Sequence, residues 1–181
     1  MDNYYELHLT TSRIQTKPVE KKDALPWAEF FESEEAIEYF KPLPYSTNIE
    51  KSSYWINRQL TRYSEKRFGL HAVCDIESGS LMGLCGLLLQ DVDGKAEIEV
   101  GYHFIKKFWG NGYGPEAARL FINYVFQNGI SDSVISIIDV RNLRSQKVAE
   151  KNGLKIDNQT KWMDSDVIIY RIDEESFSKQ F

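Results

Sequence analysis

A chain of 181 residues with 42% hydrophobic and 27% charged side chains has the composition of an ordinary globular domain, large enough to bury a core without disulfides or metals. Its formal net charge of −5 argues against a nucleic-acid partner, and no apolar run approaches the roughly 18 residues of a membrane helix. The two cysteines, Cys74 and Cys85, build neither a disulfide framework nor a metal-ligand spacing, and read as buried thiols of a cytoplasmic protein.

Taken in chain order, Met1-Asp2-Asn3-Tyr4-Tyr5-Glu6 lacks the basic region and apolar core of a signal peptide. Arg13–Val19 reads as a first strand. Asp23–Phe40 carries Leu25, Trp27, Phe30, Phe31, Ile37 and Phe40 in a helical pattern, ended by Pro42 and Pro44. Thr47-Asn48-Ile49-Glu50 fits a capping box for a second helix with Ile49, Ile56, Leu60 and Tyr63. Phe68–Asp75 and Leu81–Gln90 flank the turn Glu77-Ser78-Gly79-Ser80 and predict a hairpin. Asp91–Lys95 turns into a third run, Ala96–Ile105, in which Glu97, Glu99, Gly101 and His103 alternate with Ile98, Val100, Tyr102 and Phe104. A helix from about Pro115 to Asn128, a strand Val134–Val140, and a helix from about Ser145 to the stop at Asn152-Gly153 follow. Strands near Leu154–Asn158 and Val167–Ile172 complete a β-α-α-β-β-β-α-β-α-β-β order, with a helical crossover that makes one strand pair parallel. No repeat or linker interrupts it, so residues 1–181 read as one α/β domain, a mixed sheet with helices on both faces.

The most informative stretch is Trp109-Gly110-Asn111-Gly112-Tyr113-Gly114-Pro115-Glu116. Glycines that tolerate positive φ lead into a helix whose first N–H groups lack internal partners, which makes a cradle for a phosphate-like anion. Pro115 suits a first helical turn. The spacing is not that of a P-loop, since no Lys-Ser or Lys-Thr follows. It is also not a dinucleotide fingerprint, because it follows three antiparallel-type strands, and Asp132 and Asp139 are poorly placed as ribose ligands.

Four separated pieces resemble the RimJ/RimL-like branch of the GNAT superfamily of acetyl-CoA-dependent N-acetyltransferases, over the chain from about Ser12 to its end. Ser12–Pro18 is similar to that branch's opening strand, with Lys17 where arginine is usual. Ala96–Tyr102 is similar to its fourth strand, and Phe108–Ala118 to its pyrophosphate loop. Asn142-Leu143-Arg144-Ser145 with Glu150-Lys151-Asn152-Gly153-Leu154 is similar to its N-x-x-S … E-K-x-G-F helix.

The resemblance implies a twisted sheet of about seven strands, with the fourth strand bulged and splayed from the fifth so that CoA slots between them. Acetyl-CoA is the implied cosubstrate and no metal is implied. Trp109, Gly110, Asn111, Gly112, Tyr113 and Gly114 are implied to hold its pyrophosphate; Phe104, Asn142 and Ser145 are implied to lie along the pantetheine arm. Glu99 is the implied base, with Glu97 as substitute one pleat away, and N–H groups around Val100–Tyr102 are placed for an oxyanion. The family's acid, a tyrosine four residues after the N-x-x-S serine, is Ala149 here. Ser145 is the fallback donor and Tyr170 a weaker one. His103 and His71 read as structural, and Trp27, Phe31, Tyr54 and Trp55 as core or pocket wall. The implied acceptor is a peptide N-terminus or a small primary amine, and a homodimer is compatible. The missing tyrosine keeps open a second reading, an acyl-CoA-binding sensor without turnover.

Overall fold

The computed structural model describes residues 8–181, so Met1–Glu6 lie outside the described residues. One sheet runs β1-β2-β3-β4-β5-β7-β6. Its antiparallel half is β1 (Ile14–Pro18), β2 (Leu70–Asp75), β3 (Leu81–Val92) and β4 (Lys95–Phe104). Beside β4 lies β5 (Ser133–Asp139) in parallel, followed by β7 (Ser165–Asp173) and β6 (Lys155–Trp162), both antiparallel. The helices are α1 (Ala24–Trp27), α2 (Glu34–Ile37), α3 (Asn48–Ser64), α4 (Tyr113–Gln127), α5 (Leu143–Lys151) and α6 (Glu174–Gln180).

The alternation along β4 divides the molecule into two layers. Ile98, Val100 and Phe104 pack with Ala117, Phe121, Ile122 and Val125 of α4 and with Val134 and Ile138 of β5. The other side of the sheet, through Leu70, Ala72 and Leu84, packs against Trp27, Phe30, Phe31 and Ile56 from α1 to α3. Cys74 and Cys85 are buried free thiols. The expected capping box starts α3: the Thr47 hydroxyl accepts from the Glu50 N–H, and the Glu50 carboxylate accepts from the Thr47 N–H.

Four expectations need correction. The helix expected over Asp23–Phe40 is broken into α1, a tight turn over Ala28–Glu32, and α2. Pro26 withholds an N–H, Ser33 is extended at φ −96°, and Trp27 and Phe30 stack 4.4 Å apart instead of lining one helical stripe. The strand expected to end near Asn158 continues to Trp162, because Met163-Asp164 makes a tight turn to β7 with φ of 48° and 67°. Asp164 tolerates the left-handed region, but Met163 stands where no glycine marks the turn as Gly94 does between β3 and β4. A last helix, α6, was not expected; the Asp173 side chain caps it and Phe177 anchors it. Finally, the β3–β4 ladder keeps one register from Gly83–Phe104 to Val92–Lys95, so the bulge implied for the fourth strand is absent from this ladder.

That unbroken ladder depends on Gly83, where an added Cβ would stand 2.5 Å from the His103 carbonyl oxygen and 2.7 Å from the Phe104 ring. Gly83→Ala is expected to destabilise the fold by about 1–3 kcal/mol through overpacking, seen as a lower urea midpoint at unchanged slope.

Candidate functional site

The cradle forms where the chain leaves β4 and enters α4. Gly110 and Gly112 are both left-handed, with φ of 79° and 82°. A Cβ at Gly110 would meet nothing within 4 Å, so glycine is required there by conformation rather than by space. Two side chains hold the turn. The Asn111 amide donates to the carbonyls of Phe108 (3.3 Å) and Trp109 (3.1 Å), and the Trp109 indole donates to the Phe104 carbonyl at 2.7 Å. The N–H groups from Asn111 to Gly114 take no backbone acceptor among the described residues, and the first internal bond of α4 runs from the Glu116 N–H to the Gly112 carbonyl. A hydrogen bond to a charged oxygen contributes about 1.5–3 kcal/mol, against about 0.3–1 kcal/mol for a helix dipole, so aimed amides dominate anion binding here. The cradle fits a pyrophosphate.

Arg13, which sequence reasoning used only as strand, proves to brace this loop. Its guanidinium donates to the Asn111 carbonyl (3.1 Å), pairs with the Glu116 carboxylate and lies 4.7 Å over the Tyr113 ring. Thr11 also donates to Glu116. Arg13 and Glu116 are far apart in sequence, and no spacing signals their pairing. A cavity of about 540 Å³ adjoins the cradle, lined by Thr11, Gly112, Pro115, Arg119, Leu120 and Phe181 among others.

Beyond the cradle, β4 and β5 separate. They share one paired position, Glu99 with Ile135. Further along, the Ser136 hydroxyl takes the Val100 carbonyl at 3.0 Å, and Trp109 takes that of Phe104. Strand alternation turns the backbone of Tyr102, between them, toward the same gap. On the α5 side the Asn142 carbonyl oxygen caps that helix through the Ser145 N–H. The Ser145 hydroxyl donates to the Tyr102 hydroxyl (3.1 Å), which donates to the Ser145 carbonyl (3.0 Å). Burial holds the Tyr102 phenol well above its usual range, so it keeps its proton. Tyr102 was not singled out as a proton carrier from sequence. Ala149 is buried in the same core that Tyr102 packs against. Tyr170 lies instead under α5, within 3.5 Å of Gln146 and Glu150.

Glu99 and His103 share the face of β4 turned toward α1–α3. Burial raises the Glu99 carboxyl above its ordinary value; the Gln90 amide, the Ile137 backbone N–H and Arg62 act against that rise. Gln90 donates to Glu99 at 2.6 Å. Glu97 has a different fate: Arg171 grips both its oxygens at 2.9 and 3.0 Å, and also holds Asp157 and Ser133. A carboxylate so bound is an anchor between β4 and β7, not a free base. His103 packs 5.0 Å from Phe40 and 5.6 Å from Trp55, and burial lowers its pKa to about 4, so the ring is neutral. His71 packs on Tyr63 and Phe121. Trp27 and Phe31 are core; Trp55 and Phe40 wall the space next to His103. Glu99 and the Ser145–Tyr102 pair thus lie on opposite faces of β4, where it parts from β5. Among the described residues no cluster suited to a metal ion occurs, and no helix is long and apolar enough to cross a membrane.

The sequence profile of the acetyltransferase (GNAT) domain matches residues 13–155. The uncharacterized protein YkkB of Bacillus subtilis (strain 168) is 28% identical over 165 residues, covering 90% of this chain and 93% of the relative. The ribosomal-protein-S5-alanine acetyltransferase of Vibrio fischeri has a similar fold, with TM-score 0.72 at 15% identity over 94% of this chain and 98% of its own. So does the microcin C7 self-immunity acetyltransferase MccE, solved with acetyl-CoA and AMP, with TM-score 0.72 at 16% identity over 90% of this chain and 93% of its own.

Gly112→Val is expected to weaken acetyl-CoA binding by at least about tenfold, one or more lost amide contacts at the magnitude above, because a β-branched residue resists φ > 0. Titration calorimetry would read the loss, and an unchanged far-UV spectrum would show the fold intact. Undiminished affinity would remove the cradle from the binding site.

Proposed function

The chain belongs to the GNAT acetyltransferase family, whose members acetylate amines, and from that premise we propose that it transfers an acetyl group from acetyl-CoA to a primary amine. The observation that carries this reading is the coincidence, at one sheet opening, of an anion cradle, a buried carboxyl with a raised pKa and a protonated hydroxyl pair. Acetyl-CoA supplies the acyl thioester. Amides of Asn111–Gly114 hold its pyrophosphate, the adjoining cavity takes its nucleotide end, and the Tyr102 backbone meets the pantetheine arm in the gap. Phe104 contributes its buried ring rather than its carbonyl, which Trp109 already occupies. Asn142 acts through its cap on α5, which sets the position of Ser145.

Glu99 removes the ammonium proton of the acceptor. Its raised pKa brings it nearer to that of the amine and improves the match required of a general base. Gln90 orients the accepting carboxyl. The departing sulfur draws a proton from the Ser145 hydroxyl, which recovers one from the Tyr102 phenol through their hydrogen bond, so a hydroxyl pair shared by α5 and β4 serves where the family's helix has its tyrosine. The buried thiols Cys74 and Cys85 accord with a cytoplasmic enzyme.

Glu99→Gln should lower kcat by about 10²–10⁴ while acetyl-CoA binding by calorimetry stays unchanged. Binding without any thiol release in the parent protein would favour the sensor reading. Glu97→Gln should cost stability, through Arg171, and leave kcat nearly unaltered; the reverse pattern would exchange the two roles.

Ionised Glu99 is the active form, so activity falls as pH drops through its pKa. Because that pKa is raised, the acid limb of kcat should sit above the ordinary carboxylate value of about 4.3 and should vanish in Glu99→Gln. Tyr102→Phe should slow turnover by about tenfold or more, within the range of a displaced proton donor, and leave the acid limb in place.

A further inference from the structure

The arginines of this chain divide into two sets. Arg13, Arg67, Arg141, Arg144 and Arg171 each ion-pair with a carboxylate within 4 Å. Arg119 is satisfied by Asn152 and the Lys151 carbonyl. Arg58 and Arg62 have no ion-pair partner among the described residues, and both belong to α3. Trp55, Arg58 and Arg62 follow a helical i, i+3, i+7 spacing and form one stripe. Trp55 sets the direction of that stripe, because its ring meets His103 at 5.6 Å and Phe40 at 5.1 Å, on the face of β4 that carries Glu99.

Arg58 is exposed, with its guanidinium 5.8 Å from the Tyr54 ring and 6.0 Å from that of Trp55. Arg62 is half-buried, and among the described residues its side chain's only hydrogen bond, at 3.4 Å, goes to the Phe68 carbonyl. Its charged neighbours are Arg67 and Arg58, which repel it, and Glu99 and Glu65, which attract it. A guanidinium drawn partly out of water, with no ion-paired carboxylate among the described residues, loses hydration that its one weak hydrogen bond does not return.

We infer, resting on the acetyl-transfer reading, that the acceptor is a small primary amine that itself carries an anionic group, a carboxylate or a phosphate. Its amine lies at Glu99 and its anion at Arg62, with Arg58 at the rim. A guanidinium presents a rigid fork of donors matched to either oxyanion. Trp55, Phe40 and neutral His103 form an apolar wall further along the same face, which adds no competing charge. The acceptor entrance is bridged on its far side. Tyr39 donates to the Arg141 carbonyl at 3.3 Å, and Lys41 pairs with Asp164 at 3.2 Å. These contacts join the segment after α2 to the β5–α5 and β6–β7 turns and favour a small acceptor. The overall charge of −5, which by itself would suit a cationic amine, is therefore locally reversed at the site.

The test uses matched acceptors with free-thiol release as readout: glycine, β-alanine and L-glutamate beside their amides, phosphoethanolamine beside ethanolamine, and spermidine. The anionic member of each productive pair should show at least about tenfold higher kcat/KM, the scale of one charge-assisted contact. Carboxylate and phosphate arms identify which oxyanion fits. Arg62→Gln should erase that preference by lowering only the anionic acceptors, with acetyl-CoA KM unchanged, and Arg62→Lys should retain part of it. Equal use of neutral amines or spermidine, or an equal loss for every acceptor in Arg62→Gln, would overturn the anion site while leaving acetyl transfer intact. Melting temperature gives a readout free of turnover. Stabilisation by the anionic amines that disappears in Arg62→Gln, with no thiol released, would uphold the anion site and refute the transfer.

Discussion

The structure depends on how β4 and β5 part. Two parallel strands that share a single paired position, Glu99 with Ile135, leave polar backbone groups along both inner edges, and buried groups of that kind must find partners. The chain answers locally. Ser136 takes the Val100 carbonyl and the Trp109 indole takes that of Phe104, so the strands are kept apart by satisfied groups on either side of Tyr102. The same indole bond ties the end of β4 to the turn that becomes the cradle. The opening and the anion site are therefore mechanically one unit, and Arg13 fastens that unit to the edge of β1 through Asn111 and Glu116.

Charge within the opening is set by neighbours rather than by residue type. Glu97 and Glu99 sit one pleat apart on one strand face, with the same chemistry and the same alternation. Arg171 and Ser133 convert the first into a fixed ionic clamp across β5. The second is buried, and burial raises its proton affinity although the Gln90 amide, the Ile137 N–H and Arg62 act against that rise. The carboxylate that Arg171 grips thus anchors β4 to β7 just below the point where β4 leaves β5.

Much of this was legible in the sequence, for identifiable reasons. Period-two alternation fixed which β4 residues face each layer, the glycines marked the cradle, and Thr47 with Glu50 marked the start of α3. Features that depend on distant partners were not legible. Arg13 meets Glu116 across 103 positions, and Glu97 meets Arg171 across 74; nothing local distinguishes Glu97 from Glu99. The broken helix over Asp23–Phe40 was hidden because Trp27, Phe30 and Phe31 satisfy a helical period while packing as a cluster. The Met163-Asp164 turn was hidden because its conformation is imposed by the pairing of Trp162 with Ser165.

Ala149 shows the same limit at the level of chemistry. By position, the residue is a gap in the expected helix motif and argues for a protein without a proton donor. In space, another element brings a hydroxyl to the same helix: the Tyr102 side chain reaches from β4 to Ser145, on the first turn of α5. A hydroxyl needs only a place, a proton and a route to replace it. Burial keeps the proton on Tyr102, two hydrogen bonds join it to Ser145, and Ala149 is buried in the core against which Tyr102 packs. On the proposed acetyl-transfer reading, the Ser145–Tyr102 hydroxyl pair would stand where the family's helix has its tyrosine.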